Sequence, residues 1–118
     1  MLPVENRLRG YKLIENVKKN GKFFDSKFFK LLIFKREDQD PTRFAIVIST
    51  KVLKHATLRN KAARGLKESL RRNLTLLVPS FDCLLIGKVG IGHAYTQDLM
   101  TDMNMMLEKA KLIKWNFW

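Results

Sequence analysis

Cysteine occurs once in these 118 residues, so no internal disulfide can form and no second thiol is available to hold a metal. Cys83 sits in the apolar run "FDCLLIG" and reads as a core residue. Histidine occurs twice, as His55 and His93, in separate regions with no neighbouring cysteine and no acid at metal-ligand spacing, which leaves zinc and nucleophilic chemistry without support. Acidic residues are scarce as well, 11 against 23 Lys and Arg, whereas a metal-dependent nuclease gathers several carboxylates around its ions. Glu37, Asp38 and Asp40 do cluster in "KREDQDP", but they read as a solvated loop tip. "GKVGIG" follows a strand yet fits neither the Walker nor the dinucleotide spacing, and reads as a turn. No apolar stretch is long enough to cross a bilayer, and "MLPVENRLRG" has no hydrophobic segment like a secretion signal. The expectation is a cytoplasmic protein without a membrane partner.

What is present is positive charge. A formal charge of +12 and a pI near 10.2 accompany 46% hydrophobic residues, a content too high for a disordered polycation. A folded polycation needs an anionic partner, and nucleic acid is the commonest. A membrane-surface helix would carry Trp or Phe on its apolar side, and the most basic segment has only Leu and Ala there. The length fits one domain over 1–118, with 115–118 ("WNFW") as an aromatic tail.

Along the chain, "YKLIENVKKNG" places Leu13, Ile14 and Val17 at helical spacing with Gly21 as a stop. "SKFFKLLIF" reads as a strand from Ser26 to Phe34, and "RFAIVIST" from Arg43 as a strand covered on both faces at the centre of a sheet. "KHATLRNKAARGLKESLRR" then holds seven Lys and Arg and a single acid, Glu68. Leu58, Ala62, Leu66 and Leu70 recur every fourth residue, and Asn60, Arg64, Lys67 and Arg71 form a second, opposed stripe. Thr57 or His55 starts this helix, and Gly65 inside it marks close packing or a weak point. "FDCLLIGKVG" is a further strand, followed by a long helix on which Leu99, Met103, Met106, Ala110 and Ile113 repeat. The order is helix, strand, strand, basic helix, strand, helix: an α/β sandwich with one sheet face partly open. Base rates alone make the strand-helix-strand crossover right-handed.

The basic stripe has a definite physics. Each phosphate neutralised by Lys61, Arg64, Lys67 or Arg71 releases condensed counterions, so binding is strongly salt-dependent. Arginine forks onto phosphate oxygens while lysine acts as a point charge.

"STKVLKHATLRN" followed by "KAARGLKESLR", together with "LPVENRLR" at the start, resembles the bacterial ribonuclease P protein component and its arginine-asparagine-arginine signature, over nearly the whole chain from Leu2 to about Ile113. The resemblance implies a single-domain α-β sandwich, ribosomal protein S5 domain 2-like, whose crossover is left-handed and so overrides the base rate. It implies a protein subunit that assists an RNA enzyme in removing the 5′ leader of precursor tRNA, with Mg2+ held mainly by the RNA subunit, and partners in that RNA and the precursor. The protein is expected as a monomer in the complex, with no catalytic residue of its own. Carried over by position, Ser49, Lys51, Lys54, Arg59, Asn60, Lys61, Arg64, Lys67, Arg71 and Lys88 are the RNA-binding set, and Ile14, Lys18 and Leu32 line the leader cleft. Departures from the family pattern are Lys61 and Lys67 for arginine, Leu53 for glycine and Ala63 for lysine. Ile14, Lys18 and Leu32 stand where aromatic rings are usual, and stacking on such rings is worth about 1 to 3 kcal/mol per base. Two other readings compete: a ribosomal or other structural RNA-binding protein with no processing role, and a nuclease active alone, which would require an acidic metal site.

Overall fold

Helix α1 (Tyr11–Asn20) forms where the apolar spacing places it, with Val17 fully buried and Gly21 ending it by donating its N–H to the Val17 carbonyl at 2.8 Å. A Cβ on Gly21 would lie 2.4 Å from that carbonyl oxygen, so the close approach requires glycine. The computed structural model describes residues 2–113, and the tail expected over 115–118 lies outside the described residues.

Next comes a hairpin that the sequence reading did not resolve. β1 (Lys22–Asp25) pairs antiparallel with β2 (Phe29–Lys35), Phe23 standing opposite Leu32. The single strand expected from Ser26 is therefore wrong in its start, because Ser26 closes the turn: its N–H donates to Phe29 O at 3.0 Å and its hydroxyl to Asp102 Oδ2 at 2.7 Å. Nothing in "KFFDSKFF" breaks the apolar run except three polar residues, and the turn they make is held both by bonds between Ser26 and Phe29 and by Asp102, far along the chain.

β3 (Arg43–Val47), α2 (Ala56–Arg71), β4 (Phe81–Gly87) and α3 (Thr96–Lys109) complete the domain. Four strands run in the order β1-β2-β4-β3, antiparallel except for the β3–β4 pair, which α2 connects as a crossover. β3 is thus an edge strand, and β2 and β4 take the interior places. The sequence reading of β3 as central was wrong for a physical reason: its two faces are both packed, Phe44 and Ile46 on one and Ala45 on the other, and two-sided burial is also the mark of a central strand. On the free side of β3, Leu8 donates to Phe44 O at 2.9 Å and so covers the start of the strand.

The larger core lies between one sheet face (Phe29, Leu31, Phe44, Leu85) and the two long helices (Leu66, Leu70, Met103, Leu107). α1 covers the other face through Val17 and Ile14 against Leu84 and Leu32. Gly65 brings α2 against α3 closely enough that a Cβ would meet Leu99 Cδ1 at 2.8 Å. α3 is shorter than its apolar repeat: it ends at Lys109, and Lys111 takes a left-handed φ of 59° while Leu112 donates back to Leu107 O at 2.8 Å. Ala110 and Ile113 are still buried, beyond the helix. Cys83 is fully buried, and burial followed by the charge of Asp82 pushes its thiol well up.

One polar cluster holds the end of the sheet. Asp82, 1% exposed, accepts two bonds from Arg43 (2.8 and 2.9 Å) and one from Arg36 (2.9 Å), and Arg36 continues to the carbonyls of Asp40 and Pro41. The hydrogen bond to Asp82 raises the Arg43 pKa. Asp38 belongs to this cluster too, 3.2 Å from Arg36. Removing one partner of a buried pair strands the other's charge. Asp82→Ala is therefore expected to lower stability by about 3 kcal/mol or more, read as a shift of the urea midpoint; a shift below about 0.5 kcal/mol would show the arginines to be solvated.

Candidate nucleic-acid interface

α2 buries Leu66 and Leu70 completely and Ala62 nearly so, and this fixes which residues face outward. Asn60, Arg64 and Lys67 are exposed and, with Thr57 and Ala63, line one shallow hollow of about 440 Å³. Ala63 and Lys67 also border a second groove, of about 420 Å³, floored by Leu8, Ile14, Ala45 and Val47 and rimmed by Arg7 and Arg9. The two depressions adjoin, sharing Ala63 and Lys67 as lining residues. Ala63, where the resemblance gives lysine as usual, is the small residue between them.

The other basic residues of α2 do not share this surface equally. Lys61 lies on a different flank, beside Leu58, Ile91 and Gly92. Arg71 is tied to Glu68 one turn back, Nε to Oε2 at 2.9 Å and Nη2 to Oε1 at 2.5 Å, with Arg72 3.7 Å from the same carboxylate. The Arg71 hydrogen bond holds the Glu68 carboxyl below its ordinary value, and Glu68 raises Arg71 in turn. The pair therefore persists through neutral pH and is lost only as pH falls through the lowered Glu68 value. Arg64 has no hydrogen bond or ion pair to any described residue.

Ahead of α2, the loop 48–55 carries Ser49, Lys51 and Lys54, all exposed. The Ser49 carbonyl accepts the N–H groups of Val52 and Leu53, each at 3.1 Å, and makes the loop a tight turn. Leu53, the residue replacing a glycine of the family pattern, is 9% exposed and fills the space over Gly92: a Cβ there would lie 2.6 Å from Leu53 Cδ2. Arg59 is half-buried and reaches back to this loop. His55 stands at the N-cap position of α2 without a side-chain capping bond.

Lys88 is engaged elsewhere. Its ammonium lies 2.6 Å from Asp25 Oδ1 and donates to Ser26 O at 2.6 Å, clasping the β1–β2 turn to the end of β4. The three cleft residues do not converge on one cavity. Ile14 lines the groove, Leu32 is packed beneath α1, and Lys18 is exposed, 3.5 Å from Glu15. Sequence reasoning did not find Arg7, Arg9 and Val47, because only the non-local pairing of Leu8 with Phe44 brings the N-terminal segment beside β3. Among the described residues no three His, Cys, Asp or Glu side chains are placed to hold a metal ion.

A family model described as Ribonuclease P matches residues 2–111. The chain belongs to the ribonuclease P protein family. It is 28% identical over 116 residues to the ribonuclease P protein component of Rippkaea orientalis, covering 95% of this chain and 91% of that one. The component of Pseudanabaena sp. is 30% identical over 116 residues, covering 98% and 100%. Among solved structures, the RNase P protein of Staphylococcus aureus superposes with a TM-score of 0.84 at 20% identity, over 92% of this chain and 98% of that one. The Thermotoga maritima protein gives 0.77 at 25% identity, over 87% and 96%. The chain is thus a protein component of an endoribonuclease holoenzyme that processes tRNA, with the four-stranded mixed sheet and three helices described above.

Internal pairing separates the arginines of α2 when ribonuclease P RNA is titrated at increasing monovalent salt. Arg64→Ala is expected to reduce the slope of log K against log salt by about 0.7 to 0.9, the value of one phosphate contact. Arg71→Ala, already neutralised by Glu68, should change it by less than about half as much. Equal loss of slope in the two variants would place Arg71 on the RNA as well.

Proposed function

We propose that α2 docks on the catalytic RNA of ribonuclease P through Asn60, Arg64 and Lys67, aided by Lys51 and Lys54, while the 5′ leader of precursor tRNA follows the groove between α1, β3 and the N-terminal segment. The observation that carries this reading is that the two hollows adjoin, with Ala63 and Lys67 lining both. A strand leaving an RNA surface bound on α2 meets a trough with an apolar floor and cationic rims, which suits bases on the floor and phosphates at Arg7 and Arg9. Ile14 on that floor offers contact area without a stacking ring, so the groove accepts leaders of varied sequence. Lys88 and Arg71, each paired with a carboxylate, contribute less to RNA binding than the exposed stripe. Hydrolysis belongs to the RNA subunit, with Mg2+ bound there, and the protein raises affinity for the precursor over mature tRNA. It works as a monomer in the complex, in the cytoplasm; no described helix is long and apolar enough to cross a membrane.

Reconstitution with ribonuclease P RNA and precursor tRNA at low magnesium tests this. Added protein should stimulate leader removal, and Lys67→Ala should weaken both RNA docking and the preference for precursor, whereas Arg64→Ala weakens docking alone. Binding without stimulation would support a purely structural RNA-binding protein. Cleavage without the catalytic RNA would make the protein itself a nuclease.

A further inference from the structure

The loop that joins β3 to α2 is held by three devices, and one of them is a signature arginine. The Ser49 carbonyl closes the turn, Leu53 anchors it over Gly92, and Arg59 reaches back from the first turn of α2. A single guanidinium nitrogen of Arg59, Nη1, donates to the carbonyls of both Leu53 and Lys54, each at 2.9 Å. That nitrogen has two hydrogens, and both are in use. The fork between Nη1 and Nη2 is therefore closed, while Nε and Nη2 make no bond to any described residue, and the side chain is half-buried. Arg64, one further turn along, is exposed and has no bond to any described residue. His55, at the N-cap position, makes no side-chain capping bond.

From this we infer that Arg59 is a positioning residue: it fixes the loop so that Lys51 and Lys54 meet the RNA in a set geometry, and this bracing, more than a phosphate contact of its own, is its part in binding. The inference rests on the docking of α2 and its preceding loop on ribonuclease P RNA, proposed above. Lysine replaces Arg59 poorly in this role, because its ammonium, though it has donors enough for both carbonyls, is strongly hydrated and sits on a flexible stem, whereas the guanidinium holds its N–H groups in one plane. Charge at position 59 is thus not what the site requires.

Two measurements on the full-length chain separate the inference from the reading beneath it. The first is amide hydrogen exchange of the free protein. Arg59→Lys and Arg59→Ala should both accelerate exchange at Val52 and Leu53, by about tenfold or more, with Arg64→Ala unchanged. No acceleration would overturn the brace, whatever the RNA does. The second is a cycle of RNA affinities at several salt concentrations. Arg59→Lys should bind as weakly as Arg59→Ala, about tenfold below the parent. In a Lys51→Ala, Lys54→Ala background, Arg59→Ala should then cost less than about twofold. Recovery of parental affinity by Arg59→Lys, or full additivity in that background, would make Arg59 a direct contact and sink the inference. A parent chain that fails to bind ribonuclease P RNA would instead defeat the docking reading, and hydrogen exchange would still decide the brace.

Discussion

Everything in this domain depends on α2 having two incompatible faces. Leu66 and Leu70 have no solvent exposure, locked between the sheet and α3, and each such side chain contributes about 1.5 to 3 kcal/mol by leaving water. That burial leaves the opposed stripe no freedom of orientation: Asn60, Arg64 and Lys67 must face outward. Gly65 tightens the arrangement by letting Leu99 approach the helix backbone, and Asn73 adds a polar tie, donating to Asn104 Oδ1 on α3 at 2.7 Å. A helix that rolled to hide its cations would expose its leucines. The core therefore aims the binding surface.

A net charge of +12 could have been distributed so that every cation had an anion nearby, yet the 11 acids are concentrated elsewhere. Asp82 pairs with Arg43 and Arg36 at the end of the sheet, Asp25 holds Lys88 at the hairpin, and Glu68 gathers Arg71 and Arg72 at the far end of α2. These pairs shape the protein. The first turns of α2 and the loop before it carry no acid at all between Thr42 and Glu68. Attraction to a polyanion is strongest where internal pairing is absent, and the hollow over Arg64 and Lys67 opens there.

Much of this was legible in the sequence, and for local reasons. The apolar spacing of α2 located its buried and basic faces, Gly21 marked the end of α1, and the resemblance carried by "STKVLKHATLRN" and "KAARGLKESLR" named the family before any coordinates. What escaped was non-local. β1 hid inside an aromatic run whose turn is held in part by distant Asp102, and β3 was read as central because burial on two faces does not reveal an unpaired edge. The end of α3 lacked its usual glycine, Lys111 taking the left-handed position instead. Within the site, sequence position ranked all the basic residues alike. Only coordinates distinguish the open Arg64 from Arg59, which braces a loop, and from Lys88, which clasps a hairpin.

Lysine acetylation footprinting of the chain, free and bound to ribonuclease P RNA, reads the central claim most directly. Lys51, Lys54 and Lys67 should lose reactivity in the complex, while Lys109 and Lys111, at the end of α3, keep theirs. Protection of the α3 lysines with those around α2 left reactive would contradict the account, since the RNA would then be sitting on the face that the fold turns away from it.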